Sequence, residues 1–310
     1  MVKTIKMGRN SFHLVVEDQM RSTMQFLISA IVLSSVYALL AAGFVIIRKS
    51  SRVLNFGYAS IAMLLGYLTV TMINLVPAPP FVSIALTLIL SFIFGLALYG
   101  LLIRPMVGQP FFSTMILTVA LGIVLDAITT LIWRGNMETI SFGWQSYFPL
   151  LGGGRISSTE MISLSTTIVL FMFIFGFYRF TKIGQQMRAT TENTLLAAQR
   201  GINIYLLTAL AWGISIFVTG TGAVVLGSNY SVSLTMGVLA TKAFAVTVLG
   251  GLDSLNGTIL AAMIIAFVEM ATNYYVSPKL ADAMPFIIML IVLLARPWGL
   301  FGTKEEIPRV

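Results

Sequence analysis

The segment FAVTVLGGLDSLNGTILAAMII, residues 244–265, sets two apolar runs back to back with a glycine pair and a polar elbow between them. The first run stops at Gly250 and Gly251. Asp253, Ser254, Asn256 and Gly257 follow at once, and the second run begins directly after them. Backbone that turns inside so apolar a sequence carries N–H and C=O groups that lipid cannot satisfy, so the turn must sit within protein or at the wet edge of a membrane bundle. The pattern reads as a helix, a bend at Gly250 and Gly251 where a β-carbon would obstruct φ > 0, and a second helix. Asp253 and Asn256 are expected to cap that second helix, where the dipole favours an anion.

Composition extends this reading to the whole chain. Of 310 residues, 57% are hydrophobic and 10% charged, and mean hydropathy is +0.93; a soluble domain carries about 25% charged residues. The fold class expected is all-α, a polytopic helical membrane protein. The formal charge of +8 comes from basic residues placed singly at the ends of apolar runs. That distribution suits anionic lipid headgroups and not nucleic acid, which calls for a basic stripe with interleaved aromatics. With no cysteine and one histidine, His13, the chain lacks the residues for thiol chemistry, Cys-based metal sites or His clusters. Glu17 and Asp18 fall where a signal peptide would place its apolar stretch, so no cleavage is expected.

Apolar segments long enough to span cover 24–47, 54–76, 81–103, 111–133, 161–180, 204–227 and 257–276, with a shorter eighth at 282–295. Residues 235–250 form a still shorter piece, broken or re-entrant, rich in small side chains. About eight transmembrane helices plus this piece are therefore expected, and no run shows the alternation of a membrane barrel. The domain plan is an N-terminal surface segment at 1–23, a membrane domain at 24–302 and a tail at 303–310.

The longest polar joint, RFTKIGQQMRATTENTLLAAQRGIN (179–203), holds Arg179, Lys182, Arg188 and Arg200 against Glu192 alone. The positive-inside rule places it in the cytoplasm and, by alternation, places 135–160 outside. This parity puts Arg48, Lys49, Arg52, Arg104, Arg179, Lys182, Arg188, Arg200, Arg296, Lys304 and Arg309 inside, and leaves Lys3, Lys6, Arg9 and Arg21 outside. Glu17 and Asp18 offset part of that outer charge, and the side of the N-terminus stays open. Within 183–203, Thr191, Asn193 and Thr194 are cap-type residues, Leu195 to Arg200 favours helix, and Gly201 stops it. A short surface helix offering Leu195 and Leu196 to a partner is one reading; a solvated loop with one helical turn is the other.

Asp126, Lys242 and Glu269 lie in apolar surroundings, where an ionised group costs roughly 2.5 to 3.5 kcal/mol, so each should face the bundle interior or a partner. Lys242 could pair with Asp126 or Glu269 and lock two helices, or it could belong to a pathway. Asn55, Tyr58, Ser60, Asn229, Tyr230 and Ser231 are candidates for a weakly polar lining. The chain has no GxxxxGK[ST] phosphate loop, so a transport cycle driven by ATP would need ATP and Mg on other subunits. Two other classes stay in view: an ion-coupled secondary transporter, which needs a mid-membrane carboxylate or carbonyl cluster, and a membrane enzyme, which needs clustered catalytic groups.

Five fragments in order resemble the branched-chain amino-acid type permeases of ABC importers. VYALLAAGFVIIRKSSRVLNFGYASIAMLLGYL, with Asn55, Phe56 and Gly57, is similar to that family's first helix and its Asn-Phe-(Ala/Gly) signature. RPMVGQPFFSTMILTVALGIVL resembles its Arg-Pro loop and Thr-Leu-Gly helix, and QQMRATTENTLLAAQRGIN its cytoplasmic loop. TMGVLATKAFAVTVLGGLDSLNGTILAAMIIAFVE resembles its Lys-Ala-Phe, Gly-Gly and Gly-Ser elements, and ARPWGLFG its ending. The departures are Asp253 at a position usually small, Tyr58-Ala59-Ser60 after the signature, and Leu195 where the importer pattern Glu-Ala-Ala-x-x-x-Gly has glutamate.

The resemblance implies an inner-membrane permease subunit, without ATPase activity, of a bacterial or archaeal importer. Two ATP-binding subunits would dock through Arg188, Thr191, Leu195, Leu196 and Gly201. A second, homologous permease would complete the pore, and an extracytoplasmic binding protein would deliver the solute. The expected solute is a branched-chain or other hydrophobic amino acid; urea, short amides and aromatic acids are carried by related permeases.

Overall fold

The computed structural model describes residues 9–51, 53–149 and 153–303. It is a helical bundle, with one short hairpin at its edge. The helices are α1 (Arg9–Ser51), α2 (Tyr58–Leu75), α3 (Pro80–Leu98), α4 (Phe111–Trp133), α5 (Ser158–Phe180), α6 (Lys182–Glu192), α7 (Thr194–Gln199), α8 (Ile204–Asn229), α9 (Met236–Gly250), α10 (Leu255–Tyr275), α11 (Pro278–Ala281) and α12 (Met284–Ala295). A π-helical turn (Tyr99–Ile103) and a 3₁₀ turn (Arg104–Met106) prolong α3. Strand β1 (Tyr147–Pro149) pairs antiparallel with β2 (Arg155–Ser157).

Seven helices among the described residues are long and apolar enough to cross a membrane, and α9 and α12 are shorter apolar helices. The eighth expected span is thus helical over only 12 residues, about 18 Å at 1.5 Å per residue. Pro285 in its first turn and the break at Arg296 limit it. Residues 9–23 form the start of α1; residues 1–8 and 304–310 lie outside the described residues, as do Lys3, Lys6, Lys304 and Arg309.

Helix α1 is the central rod, with Val36, Tyr37, Leu39, Leu40 and Val45 without solvent exposure, packed against α8 and α10. The polar residues of this interior are mostly Ser and Thr. In a helix such hydroxyls can bond back to the preceding turn, so most are buried without stranding a donor; Ser83 and Thr129 lack a partner among the described residues. Thr69 donates to the Leu65 carbonyl at 2.7 Å, Thr87 to the Ser83 carbonyl at 3.0 Å and Thr247 to the Ala243 carbonyl at 2.8 Å.

Contacts between loops sort the helix ends into two faces. On one, the Thr191 hydroxyl donates to the Lys49 carbonyl at 3.2 Å, joining the α1 terminus to α6. On the other, Glu138 and Val232 form an isolated bridge, Tyr67 donates to the Asn136 carbonyl at 2.9 Å, and the Arg155 N–H donates to Gln25 at 3.4 Å. The last contact puts the start of the first span on the face of the 135–160 loop.

Helix α9 connects the two faces. Its N-terminal end follows Val232 on the loop face, and its C-terminal end meets residues 299–302 after α12, on the opposite face. Its 15 residues reach about 22 Å, most of a hydrocarbon core about 30 Å thick.

Candidate functional site

The elbow between α9 and α10 differs from its expected chemistry in two respects. Gly251 has φ +106°, and a β-carbon there would stand 2.4 Å from the Gly302 nitrogen. Gly250 remains helical, and its glycine is required by close approach: an added β-carbon would lie 2.6 Å from the carbonyl carbon of Gly257. The cap of α10 is Ser254, whose hydroxyl accepts from the Gly257 N–H at 3.0 Å; it is neither Asp253 nor Asn256. Ser254 wins because it has extended dihedrals directly before the first helical residue, the geometry an N-cap requires. Asp253 accepts instead from the backbone N–H and hydroxyl of Thr303, fastening the chain after α12 to the elbow, while Asn256 is exposed within α10.

Farther along α9 and α10, away from the elbow, lies a cluster of polar side chains. Lys242 on α9 is 2% exposed; its Nζ donates to Glu269 Oε1 on α10 at 2.6 Å and to Asp282 Oδ1 at 2.8 Å. Tyr37 on α1 donates to Glu269 Oε2 at 2.7 Å. Glu269 is 8% exposed, whereas the Asp282 side chain is 73% exposed. One ammonium thus ties α9 to α10 and to the turn before α12, and the phenol adds α1. Of the two partners weighed for Lys242, Glu269 is the one found. Asp126 stands exposed on α4 with no side-chain partner among the described residues. Asp282 and Tyr37 were missed by sequence reasoning; the signal for Asp282 was a lone acid in a short polar turn between apolar runs.

The Asn55 region is more closed than a pathway lining. Asn55 is fully buried; its Oδ1 accepts from the Gly57 N–H at 3.0 Å, and its Nδ2 lacks an acceptor among the described residues. Tyr58 donates to the Leu40 carbonyl at 2.7 Å and accepts from Thr219 at 2.5 Å, so it braces α2 against α1 and α8. This corrects its assignment to the lining: a phenol 1% exposed with both bonding capacities used offers nothing to a passing solute. Ser60 is buried against Gly122. On the loop face, Asn229 donates to Ser163 at 2.6 Å and lines a polar cavity of about 390 Å³ with Gln25, Gln145, Arg155, Glu160 and Ser228. Tyr230 is exposed and Ser231 half-buried beside that face, outside the cavity.

On the opposite face the joint between α5 and α8 is structured. Thr181 caps α6 by accepting from Gly184 at 3.0 Å, and Asn193 caps α7 by accepting from Leu196 at 3.0 Å. Of the expected cap-type residues Asn193 is the cap; Thr191 holds α6 to Lys49 on α1, and Thr194 bonds back to Thr190. Gly201, with φ +79°, turns the chain after α7. Ala197 is buried under the short helix, while Leu195 and Leu196 are 70% and 56% exposed, and Arg188 is exposed on α6. A cavity of about 350 Å³ opens beside them, between Lys49, Gln109, Thr190, Thr191, Thr194 and Tyr205. The result is a capped two-helix shelf with an apolar pair turned outward.

The sequence agrees with known permeases along nearly its full length. Residues 26–293 match the family model described as the permease component of the branched-chain amino acid transport system. The chain is 25% identical to the high-affinity branched-chain amino acid transport system permease protein LivH of Salmonella typhimurium, over 93% of this chain and 98% of that one. It is 27% identical to the corresponding permease protein BraD of Pseudomonas aeruginosa, over 91% and 96%. A probable branched-chain amino acid transport permease protein LivH of Methanocaldococcus jannaschii is 26% identical, over 88% and 90%. Its apolar multi-pass bundle and the family match over residues 26–293 agree, and the chain belongs to the branched-chain amino acid transport system permease family.

Proposed function

We propose that this permease forms one half of the pore of an ABC importer in the cytoplasmic membrane and has no ATPase or other enzymatic activity of its own. A second, homologous permease supplies the other half. A binding protein delivers branched-chain or other hydrophobic amino acids to the outer face, and two subunits binding ATP and Mg drive the cycle from inside. The family of the chain and the names of its relatives support the transport class and the solute. The partners rest on the α6–α7 shelf. Large apolar side chains are usually buried, yet a capped and tethered unit here holds Leu195 and Leu196 outward. The polar cavity at Asn229 supports solute entry on the loop face, and the burial of Tyr58 and Lys242 supports a route that does not run past them.

The test is the double substitution Leu195→Asp and Leu196→Asp. Both side chains are exposed, so the permease should fold and reach the membrane as before, while co-purification of the ATP-binding subunits and solute-stimulated ATP hydrolysis are lost. Normal stimulated hydrolysis in the double variant would refute the docking role.

A further inference from the structure

On the membrane flank of the bundle, the inner halves of α3, α5 and α8 enclose a groove of about 420 Å³. Phe92 of α3, Phe173 and Phe177 of α5, Ile183 of α6, and Ile214 and Phe217 of α8 form its wall, which is carbon throughout. From Leu170 to Tyr178 it follows α5 over nine residues, about 12 Å, comparable to the depth of one leaflet in a hydrocarbon core about 30 Å thick. At its inner mouth stand two exposed cations on the residues next to its wall: Arg179 follows Tyr178, and Lys182 precedes Ile183. Arg179 Cζ lies 5.7 Å from the Phe180 ring centroid, and neither cation pairs with a carboxylate among the described residues.

We propose that this groove is a binding site for one anionic phospholipid of the cytoplasmic leaflet, with an acyl chain in the carbon-walled slot and its phosphate held between Arg179 and Lys182. An apolar slot at this depth faces acyl chains and not water. The two cations stand at headgroup level, where the cytoplasmic leaflet supplies anionic lipid and basic residues attract it. The site touches the docking shelf. Ile183 belongs to α6, and α6 folds back on α5 so tightly that a β-carbon on Gly184 would lie 2.3 Å from the Phe177 carbonyl oxygen. A bound chain therefore props the hinge from which α6 and α7 project.

The experiment measures lipid retained by the full-length chain, using native mass spectrometry after release from nanodiscs of phosphatidylcholine mixed with phosphatidylglycerol. The wild type should keep one phosphatidylglycerol per chain, roughly thirtyfold in preference to phosphatidylcholine, given two cations at the headgroup. Arg179→Gln with Lys182→Gln should erase the preference and leave phosphatidylcholine retention unchanged. Ile214→Trp, which fills the slot, should reduce retention of both. A wild type without preference, or a doubly neutralised variant that keeps it, would overturn the proposal. So would a photo-crosslinker at Phe173 that attaches to another protein chain in the assembled transporter, since the slot would then belong to an interface.

Discussion

Neutralising Lys242 is the most informative perturbation of the fold, because its two carboxylate partners differ in burial. Lys242→Met leaves Glu269, 8% exposed, with Tyr37 as its remaining donor. Removing one member of a buried ion pair costs about 3 to 5 kcal/mol, since the other charge stays desolvated. Glu269→Gln should cost less, about 1 to 3 kcal/mol, because the ammonium retains Asp282 at 2.8 Å. Asp282→Asn should cost least, under about 1 kcal/mol, since its side chain is 73% exposed and solvent screens the contact. The double variant Lys242→Met, Glu269→Gln removes both buried charges and should recover a large part of the single Lys242→Met loss. The assay is thermal unfolding of the detergent-solubilised permease followed by size-exclusion chromatography. At roughly 2 °C per kcal/mol for a chain of this size, the midpoints should fall by about 6 to 10 °C for Lys242→Met and by 2 °C or less for Asp282→Asn. A Lys242→Met midpoint equal to wild type, or losses that simply add in the double variant, would refute the view of Lys242 as an interior tie.

Orientation can be read by labelling, since the chain contains no cysteine: Ser146→Cys should react with an impermeant maleimide applied from outside intact cells, and Thr194→Cys only after the membrane is opened. The reverse pattern would invert the bundle and move the docking shelf to the wrong side. At the elbow, Ser254→Ala should lower stability by about 1 kcal/mol through loss of the α10 cap, while Asn256→Ala stays within about 0.5 kcal/mol. Gly251→Val should abolish accumulation of folded protein, because it meets both the positive φ and the Gly302 backbone; normal yield of that variant would show that the turn is not fixed by this contact.

The sequence by itself determined the class of the molecule and most of its helices. Apolar length is a local property, and a run of about 20 apolar residues can satisfy its backbone in lipid only as a helix. The same holds for the bend at Gly251 and for the capped α6–α7 joint, whose Asn193 and Gly201 act within a few residues of themselves. Tertiary structure decided whatever depends on where a side chain finds its partner. Both Asp253 and Ser254 are cap-type residues; only the arrival of Thr303 beside the elbow commits Asp253 to another strand of chain and leaves Ser254 as the cap. Tyr58 looks like a polar residue available to a solute until α1 and α8 close over it. Lys242 could be assigned to either of two distant acids; its pairing with Glu269 and Asp282 follows from α9 running from face to face between α10 and the start of α12, a geometry set by packing across 27 and 40 residues of sequence. Periodicity and propensity act over a few turns, and pairings at such separations are fixed only when the bundle closes.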